Sequence, residues 1–267
     1  MITSRDNQVA RRARAARDGR ERDLIFVEGL RLCEEAAGAD LLIEDVLYTE
    51  DFWQDQRGRA LLEKIGARHA RVSLVSDSVL ASVSDTRTPQ GVALVARRPR
   101  TGPDRLAASG QAALIAVLHC VSNPANAGAI LRAAEAAGAT GAVATLGTTD
   151  IFSPKALRGA MGSSFRLPLW TGAPLSEVYR WCAEHGIRTV CADTRARLAH
   201  TEINWLAPSA IITGGEGGGL TPQEIAAADV CVRIPMRAPV ESLNVAVACA
   251  VILYEAARQR DRGGPGG

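Results

Sequence analysis

The stretch Val232–Tyr254, VRIPMRAPVESLNVAVACAVILY, decides how the rest of the chain is read. Ile234, Pro235 and Met236 close an apolar strand, because proline lacks a backbone donor and is tolerated only where a ladder stops. The chain then turns through Arg237 to Glu241, passes Ser242, Leu243 and Asn244, and enters ten consecutive apolar residues, Val245 to Tyr254. That run is too short to cross a bilayer and too uniform for a helix with one wet side. It predicts a helix buried on several faces, by its own domain and by a partner chain. Ser242 and Asn244 are residue types that satisfy the free N–H groups of a first helical turn, so an N-cap explains them unless similar stretches accompany them.

Such stretches do occur upstream. Ala113 to Leu118 is a continuous apolar run of the kind found in a parallel sheet covered on both faces. A helix from Ala127 to Ala137 is stopped by Gly138. Further strands are expected at Ala142–Leu146, Thr189–Ala192, Ala210–Thr213 and Val230–Pro235, a short extended piece at Leu167–Trp170, and helices at Lys155–Ala160, Leu175–Glu184 and Pro222–Ala228. This alternation predicts a mostly parallel sheet with helices on both faces. After Arg260 the tail DRGGPGG has a disordered composition.

The N-terminal half alternates on a smaller scale. Helices are expected at Asn7–Arg17, Gly29–Ala37 and Arg59–Ile65, and strands at Leu24–Val27, Val46–Tyr48, Arg71–Val75 and Gly91–Ala96. They make a separate three-layer α/β domain. Arg97–Gly110, RRPRTGPDRLAASG, breaks the pattern with two prolines and two glycines and reads as an interdomain linker. The expected domains are therefore residues 1–100 and 111–261.

With 267 residues and an apolar fraction of 47%, the chain has material for two cores. Net charge is only +2, so any nucleic-acid contact must come from local patches. Seven arginines fall within Met1–Arg22, and Arg11, Arg14, Arg17 and Arg20, spaced by three, track one side of the first helix. A solvated helix face explains that row as well as a phosphate contact does. The six cysteines form no Cys-x-x-Cys pair and have no histidine at ligand spacing, so no metal is expected and the thiols read as buried hydrophobes of a reducing compartment. The basic N-terminus leads into no apolar segment and nothing reaches spanning length, so a cytoplasmic protein without membrane attachment is expected.

Three polar or glycine-rich stretches follow directly after apolar strands, where open α/β sheets bind ligands. The first is Asn123-Pro-Ala-Asn126-Ala-Gly128-Ala-Ile-Leu-Arg132. Asn126 is a candidate helix cap, and pairing with Glu135 is an ordinary alternative for Arg132. The second, Thr213-Gly-Gly-Glu216-Gly-Gly-Gly219-Leu220, lacks the Gly-Lys-Ser/Thr ending of a phosphate loop. Its glycines let the backbone approach a flat ligand, and Glu216 is its one ionisable group. The third is Ile234–Asn244. His119 ends the first strand of this half, but a histidine there is more often a core residue with a backbone partner, so it is set aside.

Taken together, these motifs resemble the SpoU or TrmH family of RNA ribose 2'-O-methyltransferases, of the SPOUT class. Asn126 with Arg132 matches the first motif of that family, Gly214-Gly-Glu216 the second, and Ile234-Pro-Met236 with Ser242-Leu-Asn244 the third. Ile2-Thr-Ser-Arg, Phe26-Val-Glu28-Gly29 and Gly91-Val-Ala are similar to the substrate-binding domain often fused to it. The resemblance implies a small α/β RNA-binding domain followed by a parallel-sheet α/β domain with a trefoil knot. It implies that S-adenosylmethionine is bound, that a homodimer completes the site, and that the partner is structured RNA, ribosomal RNA above all. By motif position, Gly214, Gly215, Ile234, Met236 and Leu243 are expected at the cofactor, and Asn126, Arg132, Glu216, Ser242 and Asn244 at the chemistry. Arg158 and Ser163 resemble positions near the RNA, with Arg11 and Arg14 as further candidates. Ala238 stands where the family usually has glycine; alanine there is strained if the backbone requires positive φ.

Two other readings stay open at this point. One is an RNA-binding or ribosome-assembly protein that keeps the fold without chemistry; another is a transfer RNA ribose methyltransferase. A nucleotide-dependent oxidoreductase requires a glycine fingerprint in the first strand-helix turn, and none is placed there.

Overall fold

Leu114–Leu118 and Ser209–Thr213 are buried at every position, and they pair in parallel with Thr213 opposite Leu118. These two strands form the centre of a seven-stranded sheet. The structure is a computed structural model that describes residues 1–39, 41–106 and 112–263. The chain divides into two compact units, Met1–Pro99 with Phe152–Arg166, and Arg100–Ile151 with Leu167–Gly267.

In the first unit the order is α1 (Gln8–Arg17), β1 (Leu24–Glu28), α2 (Leu30–Gly38), β2 (Ile43–Tyr48), α3 (Glu50–Gln54), α4 (Gln56–Gly66), β3 (Arg71–Leu74), α5 (Asp77–Val83) and β4 (Val92–Arg97). The strands lie in the order β1-β4-β2-β3, with β2 and β3 parallel and the other pairs antiparallel. Glu28 is buried in β1, and its carboxylate accepts the hydroxyls of Ser84 and Thr86 and the N–H of Asp85. Those bonds satisfy a charge that would be costly to bury alone.

The second unit begins with α6 (Pro103–Leu106) and β5 (Leu114–Leu118), followed by α7 (Pro124–Ala136) and β6 (Gly141–Ala144). The chain then supplies α8 (Pro154–Ala160) and α9 (Ser163–Arg166) to the first unit, where Ala156, Leu157 and Ala160 are buried and α8 meets β1. It returns as β7 (Leu169–Thr171), α10 (Leu175–Glu184), β8 (Arg188–Ala192), β9 (Leu198–Ala199), β10 (Ser209–Thr213), α11 (Pro222–Ala227), β11 (Val230–Arg233) and α12 (Val245–Gly263). The sheet order is β7-β6-β5-β10-β8-β11-β9, and all of its described pairings are parallel. From β5 the chain builds outward to β6 and β7, while β10 lies on the other side of β5. The switch point of the sheet is therefore between β5 and β10, where a crevice opens at the strands' carboxyl ends.

Three expectations are corrected here. The expected domains are continuous, whereas residues 152–166 belong to the first compact unit. The expected linker is partly structured: Leu106 is buried in the core of the second unit with Val143 and Trp170, and the Gly102 N–H donates to the Leu169 carbonyl at 2.9 Å. Residues 107–110 of that stretch lie outside the described residues. Finally, α12 continues past Arg260 to Gly263. Arg260 holds it there by donating to the carbonyls of Ala112, Ala113, Trp205 and Ala207.

Cys249, Ile252, Leu253 and Ala256 of α12 are buried, and α12 packs on α7 and β10. Its opposite side is uncovered: Val247 is 50% and Tyr254 53% exposed, with Val251 half-buried between them. These positions, four and three residues apart, share one face of the helix. Among the described residues no helix is long and apolar enough to cross a membrane.

Candidate active site

The carboxyl ends of β5, β10 and β11 carry the three motif turns, and a chain of hydrogen bonds joins them. Glu216, after β10, accepts the N–H groups of Ser122 at 3.2 Å and Asn123 at 3.1 Å, together with the Ser122 hydroxyl. Its other oxygen accepts the side-chain amide of Asn126. The Asn126 carbonyl oxygen in turn accepts the Asn244 amide at 3.2 Å, and Asn244 Oδ1 accepts the Ala246 N–H at 2.9 Å. An ionised carboxylate can only accept, so Glu216 fixes the direction of every donor along this chain. Hydrogen bonds from Ser122 and then Asn126 hold the Glu216 carboxyl below its ordinary range, which keeps it ionised at neutral pH.

Capping is distributed differently from the expectation. Asn123 caps α7 by accepting the Ala125 N–H at 2.9 Å, with Pro124 in the first turn. Asn126 lies inside the helix, so its amide is available to Glu216 and Asn244. Asn244 serves both as the cap of α12 and as a member of the chain. Ser242 is exposed in the same turn.

The glycines of the second motif have a reason within the protein itself. A Cβ on Gly214 would lie 2.5 Å from the carbonyl carbon of Gly219, and one on Gly215 would collide with the Cys120 carbonyl oxygen. The loop is folded tightly on itself and on the end of β5. Around it, Leu243 is 37% exposed, and Ile234 and Met236 are half-buried. Ala238 does not have positive φ, so the strain expected of alanine in that conformation does not arise; among the described residues the non-glycine positions with positive φ are His69, Cys120 and Met161.

Arg132 is exposed on α7 and has no hydrogen-bond or ion-pair partner among the described residues, so the expected alternative pairing with Glu135 is absent. The other cations belong to the first unit. Arg158 donates to Asp85 at 2.7 Å, and Ser163 is buried at 1% exposure. Arg14 donates to the Arg5 carbonyl at 2.7 Å and to Ser82 Oγ at 3.2 Å, whereas Arg11 is open and only 3.5 Å from Asp6.

Two features escape the sequence reading. The turn after β8, beginning at Asp193, lies between β10 and β11 in the sheet and so at the centre of the motif-bearing ends. Asp193 accepts the Arg195 N–H at 2.8 Å and pairs with its guanidinium; hydrogen bonds from Arg195 hold its carboxyl below the ordinary range. A polar Asp-Thr-Arg step after an apolar strand was the available signal. His119 is the second: its partners are side chains, Thr145 and Glu224, rather than backbone.

Residues 113–254 match the SpoU rRNA Methylase family, and residues 26–102 match the domain described as RNA 2'-O ribose methyltransferase substrate binding. A protein of Synechocystis sp. described as an uncharacterized tRNA/rRNA methyltransferase is 32% identical, over 97% of this chain and 94% of its own length. The 23S rRNA (guanosine(2553)-2'-O)-methyltransferase RlmP of Bacillus subtilis is 30% identical, over 95% of this chain and 98% of its own. Among solved structures, the AdoMet-bound rRNA methyltransferase from Sinorhizobium meliloti superposes with a TM-score of 0.85 at 28% identity, covering 96% of this chain and 97% of that one. With its methylase motifs on one rim of the sheet and a substrate-binding domain ahead of them, the chain belongs to the SpoU rRNA methylase family.

Proposed function

We propose that this protein transfers a methyl group from S-adenosylmethionine to a ribose 2'-hydroxyl of ribosomal RNA, in the cytoplasm. The observation that carries the reading is the Glu216–Asn126–Asn244 chain, which ties three distant strand ends into one corner. The residues there suit the cofactor. Ile234, Met236 and Leu243 offer apolar surface for an adenine, and the glycine loop offers main-chain groups without side chains in front of them. When bound, S-adenosylmethionine supplies an electrophilic methyl group whose leaving group is a neutral thioether.

The difficulty left to the protein is the hydroxyl proton. Arg132 is a poor base, because a guanidinium stays protonated throughout the working range. Its positive charge instead stabilises the developing alkoxide, and the proton passes to water or an RNA phosphate. Six residues of helix separate Arg132 from Asn126, which turns it about a third of a revolution away. A homodimer through the open Val247, Val251 and Tyr254 face of α12 supplies a second copy and completes the site. RNA recognition falls to the first unit, where Arg11 has the exposure that a phosphate contact needs and Arg158 is a second contact. The knotted path belongs to the same reading; its support is that the chain leaves β11 near one edge of the sheet and returns to lay α12 against α7 and β10.

The test is to incubate the full chain with methyl-labelled S-adenosylmethionine and ribosomal or transfer RNA, then map alkali-resistant 2'-O-methyl positions. Label in ribose of ribosomal RNA is expected. Label on a base, or no calorimetric binding of S-adenosylmethionine, overturns the reading, and label in transfer RNA alone moves the substrate. Arg132→Lys restoring a rate that follows lysine deprotonation would refute the electrostatic role.

A further inference from the structure

His119 follows β5 directly and is 9% exposed. Its Nδ1 is 2.9 Å from Thr145 Oγ1, and its Nε2 is 3.0 Å from Glu224 Oε1. The second Glu224 oxygen accepts the Thr221 N–H at 2.7 Å, and the Glu224 N–H donates to Thr221 Oγ1 at 3.2 Å, a reciprocal cap on α11. The His119 N–H donates to the Thr213 carbonyl at 3.0 Å. The glycine loop runs from Thr213 to Thr221. His119 therefore reaches both of its ends, one through its backbone and the other through Glu224.

A loop of this composition has little conformational preference of its own. Gly217 and Gly219 hold positive φ with open space around them, so local sterics do not fix the path between them. Two carboxylates supply that order. Glu216 fastens the middle of the loop to Ser122, Asn123 and Asn126, and Glu224 fastens its far end to His119.

We propose that His119 is a positioning residue for the methyl transfer, setting the separation of the ends of the glycine loop and hence the wall of the cofactor pocket. The inference rests on the reading of that loop as a cofactor wall. A carboxylate only accepts, so Nε2 carries the hydrogen toward Glu224, and in the neutral ring Nδ1 accepts the Thr145 hydroxyl. A charged ring is accommodated too, because Thr145 Oγ1 lies 3.3 Å from the carbonyls of both Leu118 and Leu146 and can turn its hydrogen to either. Besides Glu224, the titratable group at the ring among the described residues is Cys120, with its Sγ 3.5 Å from Nε2. The pin holds in either charge state of the histidine. Burial raises the Glu224 carboxyl pKa, but bonds from Thr221 and His119 outweigh this and keep it below its ordinary range, so the acceptor is ionised at neutral pH.

The test uses the full chain with His119→Gln, His119→Asn and His119→Ala, S-adenosylmethionine titrated by calorimetry, and melting curves on the same samples. Glutamine places its amide nitrogen near the Nε2 position and keeps the donor to Glu224; asparagine reaches only the Nδ1 position and Thr145. Alanine and asparagine should weaken cofactor binding about tenfold, the loss of one buried bond to a charged group, while glutamine stays within about threefold of the parent. In turnover the loss should fall on KM for S-adenosylmethionine and leave kcat nearly unchanged. Variants that melt earlier yet bind the cofactor like the parent overturn the proposal, as does asparagine rescuing as well as glutamine. If alanine prevents folding, the glutamine and asparagine pair carries the comparison. A parent chain that binds no S-adenosylmethionine removes the cofactor reading and this inference together, whereas a binding parent with indifferent variants removes the inference alone.

Discussion

Replacing Glu216 by glutamine tests whether one carboxylate organises the three turns. Both of its oxygens accept in the native chain, from the N–H groups of Ser122 and Asn123 on one side and the Asn126 amide on the other. Glutamine accepts on one side only and turns an NH2 toward donors on the other. Bonds to a charged acceptor are worth about 1.5–3 kcal/mol each when buried, but Glu216 is exposed, and screening reduces the total to about 1–2 kcal/mol. If that energy holds the corner in its working shape, kcat/KM for methyl transfer drops about five- to thirtyfold.

The same bonds set a pH signature. The folded carboxyl is depressed below its ordinary value of 4.5, so its contribution to stability is fully present above that value. It is lost as pH falls through the lower folded value, because the bonds hold the ionised form. Urea unfolding of the parent and Glu216→Gln should show a stability gap at about pH 7 that narrows as the solution is acidified below pH 4.5. A gap that is unchanged or wider in acid would refute this account, even if activity fell as expected.

Asn244→Ala should cost about 1 kcal/mol through the lost cap; Asn244→Ser should recover melting temperature but not methyl transfer, since serine is too short to reach Asn126. Arg11→Ala should lower the salt dependence of RNA binding by about one unit of slope without moving the melting temperature. Arg14→Ala should do the reverse, because its guanidinium is committed to Arg5 and Ser82. Val251→Asp on the open face of α12 should yield a monomer by analytical ultracentrifugation and abolish turnover; a dimer that persists would place the interface elsewhere.

Where burial is two-sided and continuous, the sequence is easy to read. β5 and β10 announce themselves as unbroken apolar runs, and α10 is bracketed by Pro174 and Gly186, so its bounds follow from local chemistry. The short helices α3, α5, α6 and α9 go unread, because one or two turns are held by tertiary contact and leave weak periodicity. In the site, the motif residues are legible as types, but their connections are not. Asn123 and Asn126 are both plausible caps, and only the position of Glu216 decides which amide is free. His119 finds its carboxylate partner 105 residues later, a distance over which no local pattern operates.

The insertion of residues 152–166 into the first unit has a consequence for synthesis. The sheet of that unit is made early, yet the face of β1 that α8 covers remains open until Arg166 has left the ribosome. At ordinary rates of elongation this is on the order of several seconds after Pro99 emerges. A nascent chain therefore carries an unsealed amino-terminal fold, attractive to chaperones, and a fragment ending near residue 100 would keep that seam exposed permanently.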